Sequence, residues 1–538
     1  MGTTPPVFKR LLDFLLGREE QKEEEEEISE SFKRFVKAER RFKLAATCAF
    51  LFVVFVVGTP MWYYTTTVYR APFPTLSPNR SLTVPVKIIL ASTSDELSPL
   101  ISDLMVQIRQ NLSEKEVKSP LEFDFAIESI GTRRFDELEN DHDLQVNTEH
   151  FVVRIALVPS KEWSDFSATK VRLGIGRWNF VQWSNDEASK CSSRTTDLIW
   201  EILIDGPHLN SIVKRDLRER MPPWQIATLP LSHQKRLVWD SAPLATDYHI
   251  QVIHVHENSS PTTEPLDAQK KTADALRRFG RLVAPVTRVQ VTSEHLWDFD
   301  VTRSLLVKDV QDRWTLTQEA REELIKKVDR RLQTTLASGA VLRFVVLETA
   351  EPVVLLDHMG EDTTGFAVAA WGAILGRNAQ TESRAIAAFR VQMGMDAELM
   401  PGWRRPPVAV CHWEIARARL RAAVDNAMRA ASAIRALDEM TKKISNIVIN
   451  DEVAAKATMA VKLLDEGLQK GKALNFDKLL QARQLADSAN SDHSLLSLLY
   501  FPMDQRTAVI IPLVLPIVVP TLKLAYTLTK KLIFKEFL

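Results

Sequence analysis

Cysteine and glycine are scarce in this chain, and their scarcity excludes several classes of protein. The 538 residues include three cysteines and 17 glycines. Cys48, Cys191 and Cys411 are too few and too far apart for a disulfide framework or a zinc-binding spacing. So little glycine argues against a glycine-rich phosphate-binding loop. Neither charge is in excess, since 69 basic residues balance 69 acidic ones, which argues against a nucleic-acid-binding protein.

A catalytic motif is also missing from the sequence. The Gly-x-Ser-x-Gly pattern of many hydrolases does not occur, and Gly174-Ile-Gly176 lacks the third glycine of a dinucleotide-binding loop. Cys411 and His412 are adjacent, but neighbours in sequence rarely point at each other and no protease signature surrounds them. We interpret this pair as the packed start of a helix. The sequence therefore predicts no catalytic residue and no cofactor.

Histidines and paired carboxylates give the remaining candidate sites. His254 and His256 alternate along one predicted strand, with His249 close by. A metal site needs a third ligand and supporting partners, and we interpret residues 248–256 as an edge or surface strand, so no metal site is predicted. Asp141 and Asp143 lie in a polar segment, where solvation explains them.

A long hydrophobic run is present near the N-terminus. Residues 44–64 carry no charge, and at 1.5 Å per residue they cover the roughly 30 Å hydrocarbon core of a bilayer. Trp62, Tyr63 and Tyr64 end the run as an interfacial aromatic belt. Because no small-residue cleavage site precedes these aromatic residues, we predict a membrane anchor rather than a cleaved signal peptide.

Residues 507–529 form a second hydrophobic run, which contains three prolines. Pro512, Pro516 and Pro520 are four residues apart, so they lie on one side of a helix. Each proline removes a backbone hydrogen bond, and in lipid that loss has to be compensated by neighbours. We predict a second transmembrane helix that packs within a bundle; a single kinked anchor is the alternative.

Lysine and arginine flanking the two runs predict the orientation. Six basic residues lie in the segment 31–43 and three follow the second run, whereas the inner flanks carry only two. By the positive-inside rule both termini are then cytosolic, and the long middle segment is lumenal or extracellular. The flanking residues after the second run are Lys530, Lys531 and Lys535, and those on the inner side are Arg70 and Arg506.

The middle segment carries three glycosylation sequons and two thiols. Asn79, Asn111 and Asn258 are the predicted glycan acceptors, and Asn258 is the first choice because its loop is polar. The thiols of Cys191 and Cys411 have two interpretations, a disulfide or a pair of buried free thiols.

Strand and helix patterns alternate from residue 84 to residue 374, which predicts an α/β fold with helices packed on a mixed sheet. From residue 412 onward the pattern is helical, almost without glycine or proline, and no internal repeat is visible. The predicted strands are 84–91, 121–127, 151–158, 171–180, 248–256, 287–292, 341–347 and 366–374. The predicted domains are a cytosolic segment (1–43), a first transmembrane helix (44–64), an α/β domain (65–410), a helical subdomain (411–506), a second transmembrane helix (507–529) and a cytosolic tail (530–538).

Three stretches of the sequence carry a family resemblance. They are GTPMWYYTTTVYRAPFP (58–74), KISNIVINDEVA (443–454) and LLSLLYFPMDQRTAVIIPLVLPIVVP (495–520). In order and spacing they resemble the phosphatidylinositol-glycan class S family. The resemblance implies a non-catalytic scaffold subunit of the GPI transamidase, an endoplasmic reticulum membrane complex that attaches GPI anchors to the C-termini of precursor proteins. It implies as partners a caspase-like catalytic subunit and further membrane subunits, with GPI lipid and precursor protein contacted indirectly.

Two other classes of function stay open from the residues alone. One is a lumenal enzyme acting on glycans or lipids, which should gather titratable side chains in one deep pocket. The other is a cell-surface adhesion or receptor module, whose glycans should mature beyond the endoplasmic reticulum. Co-purifying membrane subunits would distinguish a scaffold from both.

Overall fold

The computed structural model describes most of the chain. It describes residues 18–66, 70–74, 76, 82–117, 121–141, 151–163, 169–184, 187–218, 244–257, 266–309, 311–332, 340–349, 353–356, 361–363, 365–396, 399–443, 449–469, 472, 474–496 and 503–533. The chain divides into two compact units. The first unit comprises residues 1–71, 443–451 and 492–538, and the second comprises 72–442 and 452–491.

The described strands lie in the second unit, where they alternate with helices, whereas the first two and the last two helices of the chain lie in the first unit. The strands are β1 (Thr83–Ser92), β2 (Glu122–Thr132), β3 (Phe151–Pro159), β4 (Val171–Arg172), β5 (Trp178–Trp183), β6 (Asp247–His256), β7 (Arg288–Leu296), β8 (Leu306–Lys308), β9 (Trp314–Leu316), β10 (Ala340–Glu348), β11 (Val353–Leu356), β12 (Asp362–Thr363), β13 (Gly365–Val368) and β14 (Gly372–Gly376). The α-helices are α1 (Arg18–Phe52), α2 (Thr59–Thr66), α3 (Ile101–Glu116), α4 (Phe135–Glu139), α5 (Ser160–Trp163), α6 (Ala188–Asp197), α7 (Gly206–Arg218), α8 (Leu266–Leu282), α9 (Thr302–Leu305), α10 (Gln318–Arg331), α11 (Thr381–Gln392), α12 (His412–Lys443), α13 (Asp451–Gly467), α14 (Phe476–Asn490), α15 (His493–Leu496) and α16 (Met503–Ile533).

Long apolar helices dominate the first unit. A π-helical segment, Val53–Gly58, joins α1 to α2. Among the described residues, one helix, Glu30–Met61, is long and apolar enough to cross a membrane, and a shorter apolar stretch occupies Val514–Tyr526 of α16. The first predicted span therefore has a matching helix, whereas the second stays a prediction.

α16 contacts α1, and each helix shields a stripe of residues. In the apolar part of α1 the less exposed residues are Leu44, Thr47 and Leu51, which recur at steps of three and four residues along one helix face, and Val54 of the π-helical segment continues the series. α16 is a single helix from Met503 to Ile533 even though three prolines lie inside it.

The first sheet of the second unit has the strand order β2-β1-β3-β5-β4. β1, β2, β3 and β5 are parallel, and the short edge strand β4 is antiparallel to β5. One face of β1 buries Val84, Val86, Ile88 and Leu90 beneath α3, α6, α7 and the π-helical segment Leu198–Leu203.

The second sheet repeats this topology with the order β7-β6-β10-β14-β13. β6, β7, β10 and β14 are parallel, and the edge strand β13 is antiparallel to β14. One face packs against α8, α11 and the C-terminal helices, and the other packs against α10 and the small sheet β12-β11-β9-β8.

The two five-stranded sheets share details of packing as well as their strand order. β3 and β10 have the same length and the same sequence of buried and partly buried positions. In the first copy Arg109 of α3 donates to the carbonyl of Phe125 on edge strand β2, and in the second Arg277 of α8 donates to the carbonyl of Val291 on edge strand β7. The interpretation that the chain has no internal repeat is therefore wrong at the level of the fold.

α12 belongs to the cores of both sheets. Its Trp413, Leu420 and Val424 pack in the first core, whereas Ile415 and Ala422 pack in the second. The boundary predicted at residue 411 thus falls directly before a helix that both sheets share. The predicted α/β class and the helical C-terminal region are confirmed, with three mixed sheets.

Two predicted strands are hairpins in the structure. Residues 171–180 contain the antiparallel pair β4 and β5, and residues 366–374 contain β13 and the start of β14. The second hairpin turns at Ala370, with a φ of 59°, and at Gly372, where a Cβ atom would lie 1.9 Å from the carbonyl oxygen of Arg343. Apolar residues continue through the turn in 366–374, which made it hard to predict, whereas in 171–180 Gly174 and Gly176 lie at the turn.

Candidate functional site

β6 lies in the middle of the second sheet, between β7 and β10. The interpretation of this segment as an edge or surface strand is therefore wrong. Its last histidines are almost completely buried, with 2% of His254 and 4% of His256 exposed. A polar cluster consequently lies at the carboxyl end of the sheet, on the face that further back along the strands is mostly apolar.

Glu348 binds two partners at this end of the sheet. The Nδ1 atom of His254 lies 2.9 Å from Oε1 of Glu348, and Nη1 of Arg377 lies 2.7 Å from Oε2. Glu348 ends β10, and Arg377 directly follows β14, so both groups reach the same edge as the end of β6. The chain leaves β6 for β7 on one side and returns to β10 on the other, which makes this a topological switch point, where α/β sheets often bind ligands.

A ring stack extends the cluster toward β7. Nε2 of His256 lies 2.9 Å from Nδ1 of His295, so one ring nitrogen donates to the other. The indole of Trp297 stacks on His256 with ring centroids 4.0 Å apart. Burial lowers the pKa of both His256 and His295, and the proximity of His254 lowers it further, while Glu348 opposes the shift. Both rings are therefore neutral near pH 7.

One ring nitrogen of the cluster makes no hydrogen bond to a described residue. Nε2 of His254 is buried and has no hydrogen-bond partner among the described residues. A carboxylate-held imidazole is how enzymes orient a general base, but no nucleophile donates to this atom in the described part of the chain. Nor do three or more His, Cys, Asp or Glu side chains converge there to hold a metal ion, within the described residues. Absence of a metal site stays a prediction.

The first sheet offers no counterpart to this cluster. β1 and β6 both have ten residues and can be aligned position by position. In this alignment Leu90 and Ser92 of β1 correspond to His254 and His256 of β6. Leu90 belongs to the apolar core, and the Ser92 hydroxyl donates to the backbone carbonyl of Ser94. The histidine cluster is therefore a feature of the second copy alone.

Cys411 lies in a different polar node, at the start of α12. Its thiol is fully buried, and burial raises its pKa to about 12. The amide of Cys411 donates to Glu414, and that of His412 donates to the carbonyl of Ile175. The pair thus caps and anchors a helix, as the sequence predicts.

Cys191 resembles Cys411 in its surroundings. It is buried in the first core, and burial raises its pKa to about 11. Both thiols are unpaired, so the structure has the free-thiol alternative. Cys48 on α1 is unpaired and exposed.

The weaker sequence candidates have structural roles. Gly174 lies between β4 and β5, where a Cβ atom would come within 2.0 Å of the Trp178 carbonyl oxygen, so a side chain is excluded. The carboxylate of Asp141 accepts a hydrogen bond from the indole of Trp178 at 3.1 Å. Asp143 lies outside the described residues.

One of the three sequons lies in the described structure. Asn111 is on α3, and its Nδ2 atom, to which a glycan would be attached, donates to the hydroxyl of Ser192 at 3.1 Å. Asn79 and Asn258 lie outside the described residues. Glycosylation at all three stays a prediction.

Comparison with known proteins gives one consistent result. A family model described as phosphatidylinositol-glycan biosynthesis class S protein matches residues 49–535. A Bos taurus protein named GPI-anchor transamidase component PIGS is 24% identical over 542 aligned residues, covering 89% of this chain and 93% of that protein. The Homo sapiens protein of the same name is 33% identical over 232 residues, covering 37% of this chain and 42% of that protein. The Rattus norvegicus protein is 31% identical over 242 residues, covering 39% and 44% respectively.

Proposed function

This chain belongs to the phosphatidylinositol-glycan biosynthesis class S family, and we propose that it is a non-catalytic scaffold subunit of the GPI transamidase. The observation that carries the proposal is the match over residues 49–535, together with alignment to 93% of a relative named as a transamidase component. A match of this extent begins within the first hydrophobic run, includes the second, and covers the whole segment between them.

Bond-making in this proposal belongs to a caspase-like partner subunit. Attack on a peptide bond by a cysteine needs a thiolate, which forms when a nearby positive charge lowers the pKa of the thiol. Cys191 and Cys411 have the opposite property, because burial raises their pKa values to about 11 and about 12. The described thiols of the second unit therefore support an assembly role, with GPI lipid and precursor protein contacted indirectly.

The proposed location is the endoplasmic reticulum membrane, with two spans: residues 44–64, which begin in α1 and end in α2, and α16. α16 has 31 residues, so at 1.5 Å per residue it is about 46 Å long and exceeds the hydrocarbon core. Basic residues flank the outer ends of both spans, which supports cytosolic termini (1–43 and 530–538). The α/β domain (65–410) and the helical subdomain (411–506) then face the lumen.

Rescue of cells that lack this subunit tests the proposal. Expression of the chain should restore GPI-anchored proteins at the cell surface, and the chain should co-purify with the other transamidase subunits. Protease added to intact microsomes should trim only the two short ends. A chain that restores nothing while reaching the membrane in normal amounts, or one that is digested between residues 65 and 506 without detergent, would contradict it.

A further inference from the structure

The prolines of α16 lie on an uncovered side of the helix. Pro512, Pro516 and Pro520 are all exposed, whereas the less exposed residues on this helix include Thr521 and Leu524. At 100° per residue, the prolines and the shielded residues lie on roughly opposite sides of α16. We call the side that carries the three prolines the proline face.

The proline face carries backbone acceptors that lack their regular partner within the helix. In an α-helix each carbonyl accepts from the amide four residues ahead, and proline has no amide hydrogen. The carbonyls of Ala508, Pro512 and Pro516 face prolines at those positions, so the regular bond is missing at three successive turns. These oxygens follow one another at intervals of about 6 Å along the helix axis.

We propose that the proline face is the docking surface for a transmembrane helix of another transamidase subunit, one that presents serine, threonine or asparagine side chains at four-residue spacing. This proposal rests on the proposed function, in which α16 spans the membrane. Its basis is chemical complementarity, because the row of carbonyl acceptors on the proline face requires a matching row of hydrogen-bond donors on the partner helix. In hydrocarbon an unsatisfied polar backbone group is costly, and side chains of neighbouring helices are its usual partners.

The structure itself contains the type of contact that the partner would make. The hydroxyl of Thr521 donates to the carbonyl of Ile517 at 2.6 Å, and that of Thr47 donates to the carbonyl of Lys43 at 2.7 Å. Both hydroxyls bind carbonyls of their own helix. Hydroxyls on a facing helix would give the carbonyls of the proline face the same bond.

Other occupants fit this face less well. Lipid chains offer no hydrogen-bond donor. A parallel second copy of α16 would bring aliphatic Val509 and Val519 to the carbonyls of the proline face, since the one charged donor on that face among the described residues, Lys523, lies beyond the last proline. The described helices of this chain leave the prolines exposed, whereas Thr521 is buried on the other side of α16.

Site-directed cross-linking in native membranes tests the face directly. In the full-length chain with Cys48→Ser, cysteine is introduced by Val519→Cys on the proline face or by Val518→Cys at the same depth about 100° away. We expect Val519→Cys to cross-link to another transamidase subunit at least fivefold more efficiently than Val518→Cys. Equal cross-linking, cross-linking to a second copy of this chain, or cross-linking to lipid alone would overturn the proposal.

Restoring the missing amides gives an independent readout. The triple change Pro512→Leu, Pro516→Leu and Pro520→Leu lets each carbonyl bond within α16, so recovery of partner subunits in mild detergent should fall about tenfold. The control changes Ile511→Leu, Val518→Leu and Leu522→Ile on another exposed side should leave recovery unchanged. Unaltered recovery of partners by the triple variant would overturn the proposal. If the unsubstituted chain recovers no partner, the proposed function fails instead.

Discussion

Arg390 and Glu414 form a doubly bonded ion pair that is almost completely buried. Nη2 of Arg390 lies 2.7 Å from Oε1 of Glu414 and Nη1 lies 3.2 Å from Oε2. Exposure is 4% for the arginine side chain and 1% for the glutamate side chain. Arg405 and the amide of Cys411 donate to the same carboxylate. This pair joins α11 of the second sheet to the start of the helix that both cores share.

Removing the carboxylate should therefore destabilise the second unit strongly. Glu414→Ala leaves Arg390 with the half-exposed Asp396 as its counter-charge, at 2.9 Å, and removes the buried one. Because breaking a fully buried pair costs about 3–5 kcal/mol, we expect a loss of up to that size. Thermal unfolding of the purified chain should show a large drop in midpoint. Glu414→Gln, which keeps the shape and an acceptor, should lose less. Equal stability of the alanine variant and the unsubstituted chain would contradict this structural role.

Cys411 should be chemically inert in the folded chain. Burial and the raised pKa keep it as a thiol, so iodoacetamide should leave Cys411 unmodified in the folded chain and should modify it once denaturant is added. Mass spectrometry of the alkylated peptides measures both.

Cys411→Ala should retain GPI attachment, with at most a loss of about 1–2 kcal/mol in stability from the vacated volume. Surface display of GPI-anchored proteins in rescued cells measures that activity. A well-expressed, fully assembled Cys411→Ala variant without transamidation would overturn the non-catalytic role.

Glycan occupancy should follow the accessibility of the acceptor nitrogen. We expect at least one sequon to be occupied, with Asn258 first. Asn111 should be the least occupied, because its Nδ2 atom is engaged by Ser192 in the folded chain. Endoglycosidase treatment should shift the band of the unsubstituted chain, Asn258→Gln should reduce that shift, and Asn111→Gln should leave it unchanged. A band that no treatment moves would mean that all three are chance matches.

Acidification should destabilise the second unit through the histidine cluster. The pKa values of His256 and His295 are lowered by burial from the ordinary value near 6.5, with charges on His254 and Arg377 adding to the shift at His256 and Glu348 opposing it. Below pH 6.5 the unfolded chain binds protons that the folded chain does not, so the free energy of unfolding falls as the pH decreases.

The difference in melting temperature between pH 7.5 and pH 5.5 measures this effect. It should shrink in the variant His256→Gln/His295→Gln, which has lost both titrating rings. A variant with an unchanged pH dependence would show that carboxylates elsewhere are responsible.

Local periodicity predicts most of the elements correctly, because each strand or helix buries one face of its own. The predicted strand 84–91 lies within β1, and the predicted strand 341–347 lies within β10. The hairpins at β4–β5 and β13–β14 were missed, because reversal depends on backbone torsions at Ala370 and on the close approach at Gly174 rather than on a change in hydropathy.

The histidine cluster could not be predicted from the sequence around each histidine. The sequence places His254 and His256 on one strand face, but burial of this face depends on Glu348, 94 residues away from His254, and on His295 of the neighbouring strand. The repeated fold was hidden for a related reason. The pattern of buried positions is the same in β3 and in β10, but most of the residues at those positions differ.

The sharing of α12 between the two cores determines the order in which the chain can complete its folding during synthesis. The first sheet is fully synthesised once β5 ends at Trp183, but Val424, which completes its core, follows about 240 residues later. At 5–20 residues per second, that interval is roughly 12–50 s. Through this time the apolar face of the first sheet lacks its final cover and presents the kind of surface that chaperones bind. Truncations that end before α12 should therefore yield a chaperone-bound, aggregation-prone first sheet rather than an independently folded domain.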